Sequence, residues 1–398
     1  MPTTVEPLLS QPKRLLFDAA REIGTPALVY DFVGIERTVR RIQEDLSIVP
    51  GAALNIAAKA CHTPEVLAHL ASLGVGADVA SPGELELVEA AGFDEITTTG
   101  PAFSAADFAR FRASGVTVDL DSVAQIDLYG ADHPGTDVGL RVRIPLPAAL
   151  EGDSTFGANS RFGVSVTEPA VHAALARHRL RLTRLHMHTG QMTAQSLLFK
   201  VNYTLTMAEA LPDLEVIDLG GGFFHLYADR GRSIAAFRRM AEMVAAWQSR
   251  TGRRISFRCE PGGAVLGAYG YLFTTVRSVE EHHDYYGTRV VTVDTSAWNL
   301  APWHRPTVLS ADPDGDVAPT EPGLIAGNTL YENDFFGTNV FGRTEHFDFP
   351  RVAPGDRLVL TASGAYTMTN SRRFNRLPPP TEYSFDGRHL TRLTTVAF

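Results

Sequence analysis

Lysine is nearly missing from this chain. Of 36 basic residues in 398, only Lys13, Lys59 and Lys200 are lysines; the other 33 are arginines. Cysteine is almost as scarce: Cys61 and Cys259 make no disulfide framework, and no CxxC pattern offers a zinc or redox motif. No apolar run reaches membrane-spanning length, and the N-terminus shows no basic, apolar, small-residue export signal. Net positive charge is lacking as well. A formal charge of -9 excludes nucleic acid and anionic membrane as main partners. The expectation is a cytoplasmic globular protein with reduced thiols. Its length and 44% hydrophobic content support a substantial core and two domains, or one large domain with an appendage.

The scarcity of lysine gives Lys59 its weight. An arginine stays protonated, whereas a desolvated lysine can lose its proton and form a Schiff base. Lys59 follows the apolar run Leu54-Asn55-Ile56-Ala57-Ala58, precedes Ala60-Cys61, and has no acidic residue within five positions. The plain alternative is a lysine snorkelling from a strand end. Lys13, in a polar segment, and Lys200, on a helical run, suit surface roles.

Apolar, β-rich runs recur at 54–59, 75–80, 96–99, 116–121, 138–144, 183–189, 215–219 and 255–260. Segments of helical period separate them, at 63–73, 82–92, 104–114, 122–130, 168–179, 193–210 and 233–250. Ser104, Asp121 and Thr167 are N-cap candidates, and Gly74, Gly92 and Gly115 follow helix ends. Eight alternations predict a (β/α)8 TIM-type barrel within 31–264; a doubly wound open sheet is the alternative. After residue 264 short runs at 271–279, 289–294, 323–326 and 357–362, broken by Pro, Gly and Asp, predict a C-terminal antiparallel β domain. Residues 1–30, with a helical stretch at 5–22 and a strand at 27–30, are grouped with it. The segment 145–163 reads as a long functional loop.

Barrel active sites lie at the C-terminal ends of the strands. Those ends carry Lys59, Asp78 with Ser81, Thr98-Thr99-Gly100, Asp121-Ser122, Arg143, His186 with His188, Gly220-Gly221-Gly222 and Glu260. Three glycines after the seventh strand can bring backbone N–H groups to a phosphate, or simply make a tight turn; they do not form a GxGxxG fingerprint. Glu260 needs a cation, either a pyridinium nitrogen or Arg143 or Arg258. His186 and His188, two apart on a strand, share a face. Zinc is one reading of that pair, but further ligands are lacking; an imidazole stacked on a planar cofactor suits His188 better, and no metal is expected.

Lys59, His188, the triple glycine and Glu260-Pro261-Gly262 occur in the order of the fold-type III PLP-dependent decarboxylases, the ornithine and diaminopimelate decarboxylase family. The stretch 76–84 (GADVASPGE), Ser160-Arg161-Phe162-Gly163, Gly364-Ala365-Tyr366 and Phe374-Asn375 also resemble its motifs. The resemblance covers about residues 25–385 and implies an alanine racemase-like barrel, pyridoxal 5'-phosphate as cofactor, an amino-acid substrate and a homodimer with shared active sites. It implies a Schiff base at Lys59, His188 stacked on the ring, and Glu260 on the ring nitrogen, supporting a quinonoid. The phosphate would lie on Gly220, Gly221 and Gly222 with Tyr366; Asp78 and Gly262 would complete the cofactor site. A carboxylate at the nitrogen favours decarboxylation, whereas the related racemases place an arginine there.

The substrate end departs from the family. Its G-x-x-C-E-x-x-D aligns with Gly327-Asn328-Thr329-Leu330-Tyr331-Glu332-Asn333-Asp334, so Leu330 replaces the catalytic cysteine and Tyr331 the substrate-reading acid. The arginine of E-P-G-R is Gly263. Arg305 keeps the arginine of R-P-x-L-Y, but the tyrosine is lost. Meso-diaminopimelate and ornithine are not indicated. The expectation is decarboxylation of a modified or specialised-metabolism amino acid. Tyr331 or Glu332 would help catalysis, beside Lys59 and His188, and Arg143, Arg305, Tyr331 and Asp334 would face the substrate. Racemisation or other chemistry at Cα, and a non-catalytic partner-binding relative, are the alternatives.

Overall fold

A computed structural model describes residues 14–150, 156–301, 305–312, 319–338 and 344–394. The chain divides into two compact units. One holds Thr38–Lys59 and Leu70–Ala264; the other holds the described residues up to Arg37, Ala60–His69 and those from Val265 onward.

The first unit is a closed barrel of eight strands, and the open-sheet alternative falls. After Ala27–Asp31 (β1), which belongs elsewhere, the staves are Ala52–Ala57 (β2), Gly76–Val79 (β3), Ile96–Thr99 (β4), Thr117–Leu120 (β5), Asp137–Arg141 (β6), Arg181–His186 (β7), Val216–Asp218 (β8) and Ser256–Cys259 (β9). Each pairs in parallel with the next, and β2 closes the ring on β9. All eight apolar runs became strands, trimmed mostly at their C-terminal ends. Those trimmed residues are the mouth of the barrel.

The helices between the staves start where a side chain can satisfy the first free N–H groups. Ser104 accepts from Asp107 N–H, and Asp107 returns the bond in a capping box. Thr193 and Ser196 do the same for Ala194–Glu209. Two expected caps shift by one residue: Ser122, not Asp121, caps Val123–Asp132, and Glu168, not Thr167, precedes Pro169–Arg177 without a side-chain bond. Asp121 is drawn away because its Oδ1 accepts from Gly163 N–H at 3.0 Å. Ser81 caps Pro82–Ala91, while Glu84 Oε2 accepts from Ala80 N–H. The serine and glutamate of the 76–84 motif are thus a helix start.

The second unit is one sheet system built on the long strand Gly270–His283 (β10). Thr288–Val293 (β11), Val308–Ser310 (β12), Thr320–Ala326 (β13), Phe347–Pro350 (β14), Arg357–Leu360 (β15), Thr381–Phe385 (β16) and Leu390–Arg392 (β17) complete it. Most pairings are antiparallel, as expected, but β1 runs parallel to β16 and β11 parallel to β13. The sheet is therefore mixed. Strand β1 enters before the barrel and meets β16 some 350 residues later, so no hairpin dictates its direction. Its core packs Leu16, Phe17, Val29, Tyr271, Phe273, Val359 and Phe385. The described part of the 5–22 stretch is the helix Arg14–Ala19 and the turn Ala20–Glu22; its start, like residues 151–155 of the 145–163 loop, lies outside the described residues.

Replacing Ser104 by Ala removes the cap from Ala105–Ala113 and should lower stability by about 1 kcal/mol, read as a shifted urea midpoint with unchanged slope.

Candidate functional site

Barrel interiors are usually filled with branched apolar side chains. This one is charged. Arg184, almost fully buried on β7, donates from Nε to both oxygens of Asp119 (3.1 and 3.0 Å) and from Nη2 to Asp218, and Nη2 lies 3.7 Å from Glu260 Oε1. Burial opposes this guanidinium's charge, but Asp119, Asp218 and Glu260 outweigh it and hold the proton more firmly than usual. Two residues on, His186 brings Nε2 to 3.3 Å from Glu260 Oε2 and Nδ1 to 3.7 Å from Asp119. The cation expected beside Glu260 is thus Arg184, not Arg143 or Arg258; Arg258 pairs with Glu95.

Protons are shared unevenly among these carboxylates. Burial and the neighbouring Glu260 raise Asp218 to about 6. Asp78, accepting from Thr97 Oγ1 at 3.1 Å, is pushed up by burial and then by Glu260, against the pull of Lys59. Glu260 Oε1 is buried and has no hydrogen-bond donor among the described residues. A buried acceptor left open costs free energy unless a donor arrives. His186, Asp218 and Glu260 also lie close enough together to hold a metal ion. The Arg184 guanidinium already touches two of the three and repels a divalent cation.

Above this layer sits the mouth. Lys59 lies on the turn Ala58–Ala60 just after β2 and is exposed, although its neighbours Ala58 and Ala60 are buried. The expected burial of Lys59 is therefore corrected: the turn carries it past the strand end. His188, half-buried two residues beyond β7, accepts Gly221 N–H at Nδ1 (3.2 Å), so that nitrogen is unprotonated. Burial, then the ammonium groups of Lys59 and Lys200, push the imidazole well below its ordinary value. His186 and His188 thus take different stations, and only His186 lies on a strand.

The triple glycine is required by packing. Gly220 and Gly222 have φ of 68° and 88°; a Cβ on Gly222 would lie 1.8 Å from Gly190 O, and one on Gly221 2.6 Å from Glu260 O. The turn leads into Phe223–Leu226 while Gly220 N–H donates to Asp218 Oδ1. Gly262 is buried beside Glu260 and Pro261. Across the mouth Asp121 faces three guanidinium groups, those of Arg141, Arg161 and Arg143, and Phe162 lies between Arg141 and Arg161 at 4.6 and 3.9 Å. Arg143 is half-buried there.

The remaining expected residues belong to the second unit. Tyr366 adopts a left-handed φ of 61°, rare for a bulky residue, and donates its N–H to Ala60 O at 2.8 Å. Tyr331 and Glu332 are exposed; Tyr331 stacks on Trp298 at 4.9 Å, with Arg372 over the indole at 4.6 Å. Arg305 is exposed and paired with Glu345 and His346 O. Asp334 is a correction. It is buried, with Oδ1 accepting from the Ser296 hydroxyl and Ala297 N–H, and Oδ2 from Thr329 N–H and hydroxyl. Four bonds fill a carboxylate, so Asp334 holds its loop and has no site left for a substrate.

Lys200 is also misplaced by the sequence reading: it is wholly buried, not at the surface. Arg184, Asp119 and Asp218 escaped notice because each sits inside an apolar run. An acid or arginine within such a run was the available signal.

Over residues 33–267 the chain matches the family described as pyridoxal-dependent decarboxylase, pyridoxal binding domain. It is 30% identical over 392 residues to diaminopimelate decarboxylase of Escherichia coli, covering 92% of this chain and 90% of the relative. With the Streptomyces coelicolor enzyme of the same name it shares 28% identity over 401 residues, covering 95% and 89%. A crystal structure of diaminopimelate decarboxylase superposes with a TM-score of 0.80 at 28% identity, covering 95% of this chain and 94% of that one.

Burial, aided by Arg141 and Arg184, lowers His186 to about 3 against an ordinary 6.5. The unfolded chain therefore takes up this proton as pH falls below 6.5 while the folded one does not, and stability falls with it. His186→Leu should gain about 2 kcal/mol relative to wild type between pH 7 and pH 5, measured by urea unfolding at both values.

Proposed function

The chain belongs to the pyridoxal-dependent decarboxylase family, and from that premise we propose how its own residues divide the reaction. It is a pyridoxal-phosphate-dependent amino-acid decarboxylase, a carboxy-lyase with a fold-type III barrel. The open acceptor at Glu260 Oε1, in a layer crowded with carboxylates, carries the reading. It fits a protonated pyridine nitrogen, and the donor set fits the rest of that cofactor.

When bound, the cofactor supplies an electron sink conjugated to the substrate's Cα. Lys59 Nζ is the amine that would hold it. Glu260 Oε1 keeps a proton on the ring nitrogen, and Arg184 and His186 fix the carboxylate for that purpose. His188 orients the ring face, its Nδ1 locked by Gly221 N–H. Gly220, Gly221, Gly222 and Gly262 would bind the phosphate end. Asp78, pushed towards its neutral form beside Glu260, limits the repulsion that the Glu260 carboxylate feels.

The substrate in this proposal is a modified or specialised-metabolism α-amino acid with a distal polar group. Arg143 suits its carboxylate end, and Arg305 and Tyr331 its distal end. Leu330 cannot deliver a proton to Cα, so another donor does so: Tyr331 or Glu332, from the 328–334 loop of a second copy in a homodimer, or else His188 or water. No described helix is long and apolar enough to cross a membrane, and we place the protein in the cytoplasm.

Lys59→Ala should abolish CO2 release from a substrate panel, and Glu260→Gln should reduce kcat by roughly a hundredfold or more. A Lys59→Ala enzyme with wild-type CO2 release would remove the scheme. In deuterated water, α-hydrogen exchange with the carboxylate retained would mark racemisation instead.

A further inference from the structure

Lys200 is one of three lysines in a chain that otherwise uses arginine, and it is 0% exposed. It projects from the helix Ala194–Glu209 onto the ends of β7 and β8. Its Nζ donates to Met187 O (3.3 Å), to Leu219 O, and to Met192 Sδ (3.3 Å). Three donors meet three acceptors, which an ammonium can do and the planar five-donor fork of arginine cannot.

The two carbonyls are informative. Met187 immediately precedes His188, and Leu219 immediately precedes Gly220. Among the described residues no carboxylate bonds Lys200 directly; Asp218 and Glu260 favour its charge from further off, and the charge in turn presses His188 towards neutrality. Burying an ammonium against two backbone oxygens and a thioether is costly, and a leucine or methionine would fill the space without that cost. The cation therefore serves something beyond packing.

Resting on the proposed placement of the cofactor, we propose that Lys200 is a positioning residue for it. Its ammonium ties the ends of β7 and β8 together beneath His188 and the Gly220–Gly222 turn, and sets a positive charge behind the cradle that receives the phosphate. The family's arginine after E-P-G is Gly263 here, so Lys200 restores positive charge to that end of the site from behind the backbone. The idea differs from a packing role in one respect: it concerns the phosphate, not the aldehyde or ring.

The test compares pyridoxal phosphate with pyridoxal, which lacks only the phosphate. Full-length wild type and Lys200→Met are stripped of cofactor and titrated with each compound, following absorbance, and release of pyridoxal phosphate from each holoenzyme is timed. In wild type the phosphate compound should bind far more tightly. In Lys200→Met that preference should shrink at least tenfold, with pyridoxal itself weakened less than threefold and release correspondingly faster. Equal losses for both compounds, or an unchanged preference, would overturn the role of Lys200 while leaving the site assignment intact. A wild type with no preference for the phosphate would overturn both.

If Lys200→Met does not fold, wild type alone decides. Burial lowers Lys200 to about 8, although Asp218, Glu260 and Cys259 oppose the shift. The phosphate is already almost fully ionised at pH 7.5. The preference should therefore be constant up to about pH 8 and fall, by up to tenfold per unit, above it. A preference that stays level from pH 7.5 to 9.5 would overturn the proposal.

Discussion

At the centre of the barrel one guanidinium binds two carboxylates, from two different staves, and lies close to a third. Arg184 grips Asp119 with Nε and Asp218 with Nη2, and lies 3.7 Å from Glu260. Buried ion pairs of this kind add little net stability over well-packed apolar groups, because desolvation offsets the Coulomb attraction. Their value here is geometric. Arg184 lets Glu260 remain buried with one oxygen still open, and every station at the mouth is arranged around that oxygen.

The charges of the first unit gather in two groups. Asp78, Asp119, Asp218 and Glu260 are buried, with Arg184 paired to Asp119 and Asp218, and Arg141, Arg143 and Arg161 gather around the single carboxylate of Asp121. Lys200 adds a cation behind the glycine turn. A molecule with a cationic ring nitrogen at one end and an anionic group at the other meets complementary fields at both. Burial on this scale makes those fields strong, since little water lies between the groups to screen them.

Much of this was legible in the residues. Eight apolar runs separated by amphipathic segments allow few foldings, and all eight became staves. The strand-end residues were also recoverable, since strand ends in a barrel converge on one face. The errors share a cause. Lys59 looked buried because the apolar run continues to it, but the chain turns two residues earlier. Lys200 looked exposed because helical periodicity defines faces without saying which of them meets the barrel. Arg184, Asp119 and Asp218 look like ordinary polar interruptions until the ring closes and stacks them. The parallel pairing of β1 with β16 is a contact across most of the chain, and no local pattern encodes it.

The hydrogen bonds that hold the loop at 328–334 come from its base and backbone, while the Tyr331 ring adds a stacking contact with Trp298. Asp334 binds Thr329 through backbone and hydroxyl and reaches Ser296 and Ala297, while Asn375 Oδ1 accepts Leu330 N–H at 2.8 Å. None of these bonds uses the side chains of Leu330, Tyr331 or Glu332. The loop is thus a bracket with interchangeable fittings. A lineage can swap the groups it presents to new small molecules without loosening the bracket. That gives a physical reason why chemistry can diverge at these three positions while the frame that carries them stays still.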